Sequence, residues 1–190
     1  MRQNEKPSDA VKQMQSEKAG QMMDEYVKLA VKSVESYVRT GKVIAAEEAA
    51  PEIRERQAAA FVSIHKGEAL RGCIGTIAPV YENLAEEIIR NGIAAATRDP
   101  RFRAITPEEL PELTINVDVL SEPEQIDDIK LLDVKKYGVI VVNGMRRGVL
   151  LPDLPGVDTP EEQIHIAMQK AGIAFHETID LYRFEVVRHV

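Results

Sequence analysis

The sequence has a single cysteine, and this scarcity excludes several classes of protein. Cys73 is the only thiol among 190 residues, so one chain cannot form an intramolecular disulfide, a four-cysteine zinc site or a cysteine-ligated iron–sulfur cluster. The lack of disulfides is typical of a reducing compartment. We therefore expect a cytoplasmic protein.

Long apolar runs and an excess of basic charge are also missing. No stretch approaches the roughly 18 apolar residues that a membrane span requires, and the polar N-terminus lacks the apolar core of a secretory signal. The 24 basic and 31 acidic side chains leave a formal net charge of -7, which opposes non-specific attraction to nucleic acids. We therefore expect neither a membrane protein nor a non-specific nucleic-acid binder.

Motifs for metal and nucleotide chemistry are absent as well. His165, His176 and His189 stand in none of the spacings that ligate a metal, and the chain has no Walker loop, no Gly-x-Ser-x-Gly elbow and no three-cysteine radical SAM motif. We expect no metal and no cofactor. If the protein works alongside radical chemistry, another chain performs that chemistry.

The chain does have an ordinary globular composition, with 44% hydrophobic and 29% charged residues. Residues 1–16 are polar and precede the first periodic apolar pattern. We therefore expect a disordered tail over residues 1–16 and a single domain over residues 17–190.

Apolar periodicity predicts helices and hairpins. Steps of three and four residues predict helices over residues 17–40, 79–97 and 159–172, with a short further helix after Thr106. Strands are predicted over residues 61–65, 69–76, 113–119, 138–142, 145–151 and 180–188, with a type I′ turn at Asn143-Gly144. This order predicts an α+β fold with a mainly antiparallel sheet and flanking helices.

The cysteine stands in the stretch Leu70-Arg71-Gly72-Cys73-Ile74-Gly75-Thr76, on the second strand of the first hairpin. Because side chains alternate along a strand, Arg71, Cys73 and Gly75 are predicted to share one face. A three-residue turn would put His65 on this face as well, whereas a two-residue turn would put it on the opposite face. The sequence leaves this register open.

This stretch and two later ones resemble the AMMECR domain family, known in prokaryotes as AmmeMemoRadiSam system protein A. The later stretches are Arg98-Asp99-Pro100-Arg101-Phe102 and Arg146-Arg147-Gly148-Val149-Leu150-Leu151-Pro152. The resemblance covers roughly residues 20–190. It implies an α+β domain with a larger and a smaller lobe, and an accessory role beside a Memo-type protein and a radical SAM protein. It implies no particular reaction.

Cys73 is the first candidate for chemistry. A nearby cation favours the thiolate, and Arg71, two residues away, is the predicted source of that charge. Gly72 and Gly75 would let a ligand or a backbone approach closely, and the amides around them would hold an anion. The alternative is a buried structural cysteine whose glycines relieve crowding in the sheet.

Other residues are candidates for supporting roles. His65 is the candidate general base, with a solvated histidine beside a turn as the alternative. Asp99 is either a turn former or part of a ligand site. Arg101 and Arg147 are candidate donors to a phosphate or carboxylate, although an exposed charged strand face also accounts for Arg147.

Two functions are therefore open. In the first, the chain is a cysteine-dependent enzyme or a substrate-presenting protein with a small-molecule or anionic ligand. Its catalytic residues would be Cys73, Arg71 and His65, and its ligand-binding residues would be Gly72, Gly75, Arg101, Arg147 and Asp99. In the second, the same surface binds a protein or an RNA without catalysis.

Overall fold

The computed structural model describes residues 24–190. Its helices are α1 (Glu25–Thr40), the single turn α2 (Pro51–Arg54), α3 (Leu84–Thr97) and α4 (Pro160–Lys170), with 3-10 turns at Ala46–Glu48, Leu110–Glu112 and Ile129–Leu131. Its strands are β1 (Ala60–Lys66), β2 (Ala69–Gly75), β3 (Leu113–Leu120), β4 (Glu124–Ile126), β5 (Tyr137–Asn143), β6 (Arg146–Leu150) and β7 (Asp180–His189). The predicted tail and the predicted first turns of α1, before residue 24, lie outside the described residues.

The strands form one curled antiparallel sheet. The strand order is β2-β1-β3-β7-β5-β6, and the short β4 pairs with β7. Hairpins therefore form both ends of the sheet, and the last strand of the chain joins them. This arrangement confirms the predicted α+β fold with a mainly antiparallel sheet.

The helices pack on one face of the sheet, which we call the outer face. α1 and α3 bury apolar residues against β1 and β3, including Val62, Ile64 and Val117. α4 buries a smaller cluster against β5 and β6, including Val139 and Val141. The two ends of the sheet thus have separate helical layers and separate buried clusters.

The opposite face, which we call the inner face, has a third cluster. Leu120, Ile140 and Phe184 are buried there, and Phe61 packs against them. These residues come from both ends of the sheet, since Phe61 belongs to the first hairpin and Ile140 to the last. The curl of the sheet therefore lets the inner face close on itself, and the candidate site lies on this face.

The predicted start of α3 at Pro79 is too early. The helix begins at Leu84, after Asn83, whose side chain caps it by accepting a backbone hydrogen bond. In the loop before it, two amides donate to the fully buried Glu87 carboxylate at 3.0 and 3.1 Å. A side chain of the helix therefore fixes this loop in an irregular conformation, which apolar periodicity does not reveal.

Both hairpins have two-residue turns in which glycine comes first. The turns are Gly67-Glu68 and Gly144-Met145; the glycines have φ angles of 59° and 57°, and the second residues do not have positive φ. A type I′ turn needs positive φ at both central positions. The predicted type I′ turn at Asn143-Gly144 is therefore wrong, and Asn143 instead ends β5.

The predicted helix after Thr106 is also shorter than expected. Glu109 accepts a hydrogen bond from the Thr106 amide at 3.0 Å, as in a capping box. Only a turn and the 3-10 segment Leu110–Glu112 follow, because the chain enters β3 at Leu113.

Candidate functional site

The β1–β2 hairpin decides which side chains accompany Cys73. Its two-residue turn alone would put His65 on the opposite face. However, Arg71 is an extra residue in β2, so the register shifts between Ile64 and His65, and Ser63 lies directly opposite Cys73. This β-bulge returns His65 to the same face as Cys73.

Cys73 lies in a polar row on the inner face. Ser63 lies opposite Cys73 on one side and opposite Asn116 of β3 on the other. The Ser63 hydroxyl donates a hydrogen bond to the Cys73 sulfur over 3.2 Å. Cys73 as a residue is half-buried. Its sulfur therefore has one fixed hydrogen-bond neighbour and belongs to a partly exposed residue.

Asp99 fixes the backbone of Cys73. Its buried carboxylate, just after α3, accepts hydrogen bonds from the Cys73 amide at 2.9 Å and from the Arg101 amide at 3.0 Å. The Arg101 guanidinium binds the same carboxylate and also donates to the Cys73 carbonyl oxygen at 3.3 Å. This guanidinium holds the pKa of Asp99 well below its usual range. Asp99 and Arg101 thus contact Cys73, but through its backbone.

Arg71 does not supply the cation that the sequence predicts beside the thiol. Its guanidinium donates to both carboxylate oxygens of Glu109 at 2.9 and 3.1 Å, and to the carbonyl oxygens of Arg103 and Ala104 at 2.7 and 3.4 Å. These contacts with Arg71 lower the pKa of Glu109. As the extra residue of the bulge, Arg71 therefore holds the segment before β3 against β2.

A different arginine, Arg188, brings positive charge to the inner face. It lies opposite Asp118, in the row next to that of Cys73, and binds the Asp118 carboxylate at 2.7 and 2.9 Å. Hydrogen bonding to Asp118 raises the pKa of Arg188. Hydrogen bonding to Asp99 raises the pKa of Arg101 in the same way. The guanidinium group that contacts Cys73 is that of Arg101, whereas Arg188 lies three strands away in the sheet order.

The glycines of the motif serve close packing inside the protein. A Cβ atom at Gly72 would lie 2.2 Å from the carbonyl oxygen of Ala95 in α3, and one at Gly75 would lie 2.2 Å from the Phe61 ring. Gly148 in β6 has the same relation to α4, whose backbone would be 1.9 Å from a Cβ atom there. The predicted ligand space at Gly72 and Gly75 is thus occupied by α3 and Phe61.

His65 shares a face with Cys73, whereas Arg147 lies elsewhere on the sheet. His65 lies two residues beyond Ser63 on β1, opposite Leu70, and makes no hydrogen bond to Cys73 within residues 24–190. A general base needs to be within hydrogen-bond reach of the proton it takes. Arg147 lies in β6 and lines a different opening of the inner face. Cys73, Asp99 and Arg101 are the predicted site residues that the fold brings together.

Sequence reasoning missed Asp118 and Arg188. The alternation in β3 predicts that Asp118 faces solvent, but Asp118 is only 2% exposed because β3 is buried on both faces at this point. The signal that identifies the pair is the β3–β7 register, which puts the two residues opposite each other. That register is a long-range feature that neither strand specifies alone.

A cavity of about 230 Å³ opens beside Arg188. Its lining residues are Lys135, Lys136, Leu151, Pro152, Asp153, Val186 and Arg188. Leu151 and Pro152 belong to the third motif stretch, so this cavity lies between that stretch and Arg188 of β7.

Among residues 24–190, no three His, Cys, Asp or Glu side chains come together in a way that could hold a metal ion. In the same range no helix has both the length and the apolar character needed to cross a membrane.

Comparisons with known proteins give concordant matches. The AMMECR1 family model matches residues 27–189. A protein of Thermotoga maritima is 55% identical over 167 residues, which are 86% of this chain and 96% of that protein. A protein of Clostridium acetobutylicum is 46% identical over 186 residues, which are 97% of this chain but 40% of that longer protein. The crystal structure of an uncharacterized protein from Pyrococcus horikoshii matches with a TM-score of 0.78 and 32% identity, over 86% of this chain and 88% of that one.

Proposed function

The chain belongs to the AMMECR1 family, and from this premise we propose that it is an accessory protein that binds an anionic small molecule on its inner face, beside Cys73. The thiol is the group that contacts this ligand and on which a cysteine-dependent activity relies. The ligand site is built from Cys73, Ser63 and Arg188.

One observation carries this proposal: the fold uses the other groups of the motif, whereas within the described residues the thiol only accepts a hydrogen bond from Ser63. Arg71 holds the segment before β3, Gly72 lies beneath α3, and Gly75 lies beneath Phe61. The Cys73 backbone is bound by Asp99. These contacts hold the half-buried Cys73 in one place, which is typical of a site that needs a reactive group positioned.

The positive charge of Arg188 on the inner face supports an anionic ligand. The Arg188 side chain is 57% exposed and binds Asp118 through Nε and Nη2. Its Nη1 group makes no hydrogen bond to another described residue, and guanidinium groups recognise carboxylates and phosphates through such donors. The adjoining cavity of about 230 Å³ has room for a small ligand or part of a larger one.

Protection of the thiol by an anion tests this proposal. We expect inorganic pyrophosphate to slow the alkylation of Cys73 by neutral iodoacetamide in a saturable way, because the bound anion would cover the sulfur. The Arg188→Gln variant should lose this protection, whereas Arg39→Gln, a change at an exposed arginine on α1, should keep it. The same alkylation rate at every pyrophosphate concentration would contradict the proposal.

We also propose that the protein acts with a Memo-type protein and a radical SAM protein. The support for these partners is the sequence resemblance of the three motif stretches. Mixing the purified proteins and measuring complex formation by size-exclusion chromatography tests the proposal directly. Elution of each protein at its own volume under all mixing ratios would argue against it.

A non-catalytic module that binds a protein or RNA is the second candidate. It is favoured by the structural roles of Arg71, Gly72 and Gly75, since a motif that only shapes a surface needs no reactive thiol. In this case Cys73→Ser should leave partner binding intact, whereas Arg101→Ala, at an exposed side chain beside the motif, should weaken it. The opposite result for the two variants favours the cysteine-dependent site.

A further inference from the structure

Arg147 is an exposed arginine without a partner at another opening of the inner face. Alternation along β6 directs Arg146 to one side, where it binds Glu177 and the carbonyl oxygen of Gly172. It directs Arg147 to the other side, opposite Val142. The Arg147 side chain makes no hydrogen bond or ion pair with any other residue in the range 24–190. Neighbouring arginines of one motif therefore differ: one holds the fold together, and the other is available.

The Arg147 side chain lines an apolar cleft of about 240 Å³. The other lining residues come from the loop after β2, from β5 and β7, and from the loop before β4: Ile77, Ala78, Pro123, Ile140, Val142 and Tyr182. Three of these residues, Ile77, Ala78 and Pro123, also line a neighbouring cleft of about 380 Å³. The two clefts therefore adjoin, and together they offer the space of a small-molecule site.

The chemistry of this lining specifies the kind of ligand. Apolar side chains and the Tyr182 ring favour an apolar, preferably flat, body. A single cation at the edge favours one anionic group, because a guanidinium binds carboxylates, phosphates and sulfonates through paired N–H donors. We infer that this cleft binds a small organic anion with an apolar body, and that Arg147 holds the anionic group.

This inference goes beyond the ligand site proposed at Cys73. The cavity beside Arg188 is lined by Lys135 before β5, by Leu151 after β6 and by Val186 of β7. The Arg147 cleft is lined by other residues, among them Ile77 after β2 and Val142 of β5. The two sets share no residue, so they are two openings of the inner face. A variant at Cys73 should therefore leave the Arg147 cleft unaffected.

Binding of a fluorescent amphipathic anion tests the inference. The probe is anilinonaphthalene sulfonate, titrated against the full chain, with phenylnaphthylamine as an uncharged analogue that lacks the sulfonate. We expect Arg147→Gln to weaken sulfonate binding about tenfold, as for the loss of a charge-assisted hydrogen bond. Arg147→Lys should weaken it less, because the charge is kept. The uncharged analogue should bind wild type and Arg147→Gln equally.

Controls show whether the effect belongs to this cleft. Arg39→Gln, at an exposed arginine outside both proposed sites, should bind the sulfonate like wild type, and circular dichroism should show that every variant is folded. Methyl NMR shifts should move at Ile77, Ile140 and Val142 when the sulfonate is added, but not at Leu151 and Val186.

Three outcomes would overturn the inference. They are absence of sulfonate binding to the wild type, equal affinity of the wild type and Arg147→Gln, and methyl shifts confined to the residues of the other opening. Failure at Cys73 in the pyrophosphate experiment would leave these results unchanged, so the two proposals can fail separately.

Discussion

Asp99 is the residue that fixes the motif strand at the edge of the sheet. β2 is an edge strand, and its Cys73 amide points away from β1 to the Asp99 carboxylate. The same carboxylate also binds Arg101. Because the carboxylate is buried, water could not take its place as hydrogen-bond acceptor if it were removed. One short acidic side chain thus holds the Cys73 amide and the Arg101 amide in place.

Replacing Asp99 should destabilise the protein. In Asp99→Asn the carboxylate charge disappears and an amide N–H group faces donors, so we expect a loss of about 2 kcal/mol in the free energy of unfolding. Urea denaturation at neutral pH measures this loss. Asp127→Asn, at an exposed aspartate, is the matched control and should change little. Equal stability of both variants and the wild type would show that the Asp99 contacts are unimportant.

Residues close in a motif could be assigned from the sequence, whereas distant ones could not. Asp99 and Arg101, which were predicted as ligand-binding residues, contact the Cys73 backbone, because both belong to a recognisable stretch and a short turn brings their side chains together. Arg188, in the last strand, carries an inner-face guanidinium group, whereas Arg71 is bound to Glu109. A one-residue bulge and a long-range register decide this difference, and neither has a local sequence signal.

Strands β2 and β6, at opposite ends of the sheet, pack against their helices in the same way. In β2 and in β6 a glycine lies beneath a helix, α3 in one case and α4 in the other. Each glycine follows an arginine in its motif stretch, Arg71-Gly72 and Arg147-Gly148. The helix backbone comes so close to the strand that a methyl group has no room.

Alanine at either glycine should therefore be destabilising. For Gly72→Ala and Gly148→Ala we expect a loss of about 2 kcal/mol in the free energy of unfolding, because the new Cβ meets helix backbone that cannot rotate away. Ala69→Val adds volume at an exposed position of β2 and is the control. Urea midpoints that are the same for all three variants would contradict the close packing of α3 and α4 on the sheet.

The end of the β5–β6 hairpin should respond to acid. A hydrogen bond from Arg146 lowers the pKa of Glu177 from 4.5 to about 2. A carboxyl group whose pKa is lowered by folding stabilises the folded state above its unfolded pKa, and this contribution is lost as the pH falls through the folded pKa. We therefore expect the stabilisation by Glu177 to be complete above pH 4.5 and to disappear towards pH 2.

Urea midpoints measured between neutral pH and pH 2 test this expectation. Glu177→Gln should be less stable than wild type at neutral pH, and the difference should shrink as the pH falls. Glu35→Gln, at an exposed glutamate on α1, should run parallel to the wild type. A constant difference between Glu177→Gln and wild type over the whole range would refute the ion pair as its cause.

The elements themselves were largely predictable, since apolar periodicity identified α1, α4, β3, β7 and both hairpins. The errors lie in irregular loops and turns, whose conformation apolar periodicity does not indicate. The irregular loop before α3 is bound to Glu87, and the turn of the second hairpin has glycine in its first position. Alternation also misjudged Asp118, because one strand is buried on both of its faces where the sheet curls.

At the scale of the whole molecule, the inner-face cluster joins the two ends of the sheet. Phe184 is 2% exposed, and its ring lies over Gly138 of β5. The same cluster includes Leu120 of β3 and is contacted by Phe61 of β1. Each end of the sheet has its own helical layer, but both ends contribute to the same sheet and to this inner-face cluster.

Both ends should therefore unfold together. We expect Phe184→Ala to lower the free energy of unfolding by about 4 kcal/mol and to increase amide hydrogen exchange in β1 and in β5 alike. Phe175→Ala, at a side chain that is 57% exposed, is the matched control and should cost little. Faster exchange confined to one end of the sheet in Phe184→Ala would show that the two ends are independent.

The most direct test of the site compares two alkylating reagents at Cys73. Iodoacetate and iodoacetamide are similar in size, but only iodoacetate is charged. The rate with iodoacetate divided by the rate with iodoacetamide therefore reports the local electrostatic potential, because the fraction of thiolate is the same in both rates and cancels. We expect this ratio to be higher in the folded chain than in the unfolded chain, to fall in Arg188→Gln, and to stay unchanged in Arg71→Ala if that variant folds. A folded-chain ratio equal to or below that of the unfolded chain would contradict an anion-binding thiol site.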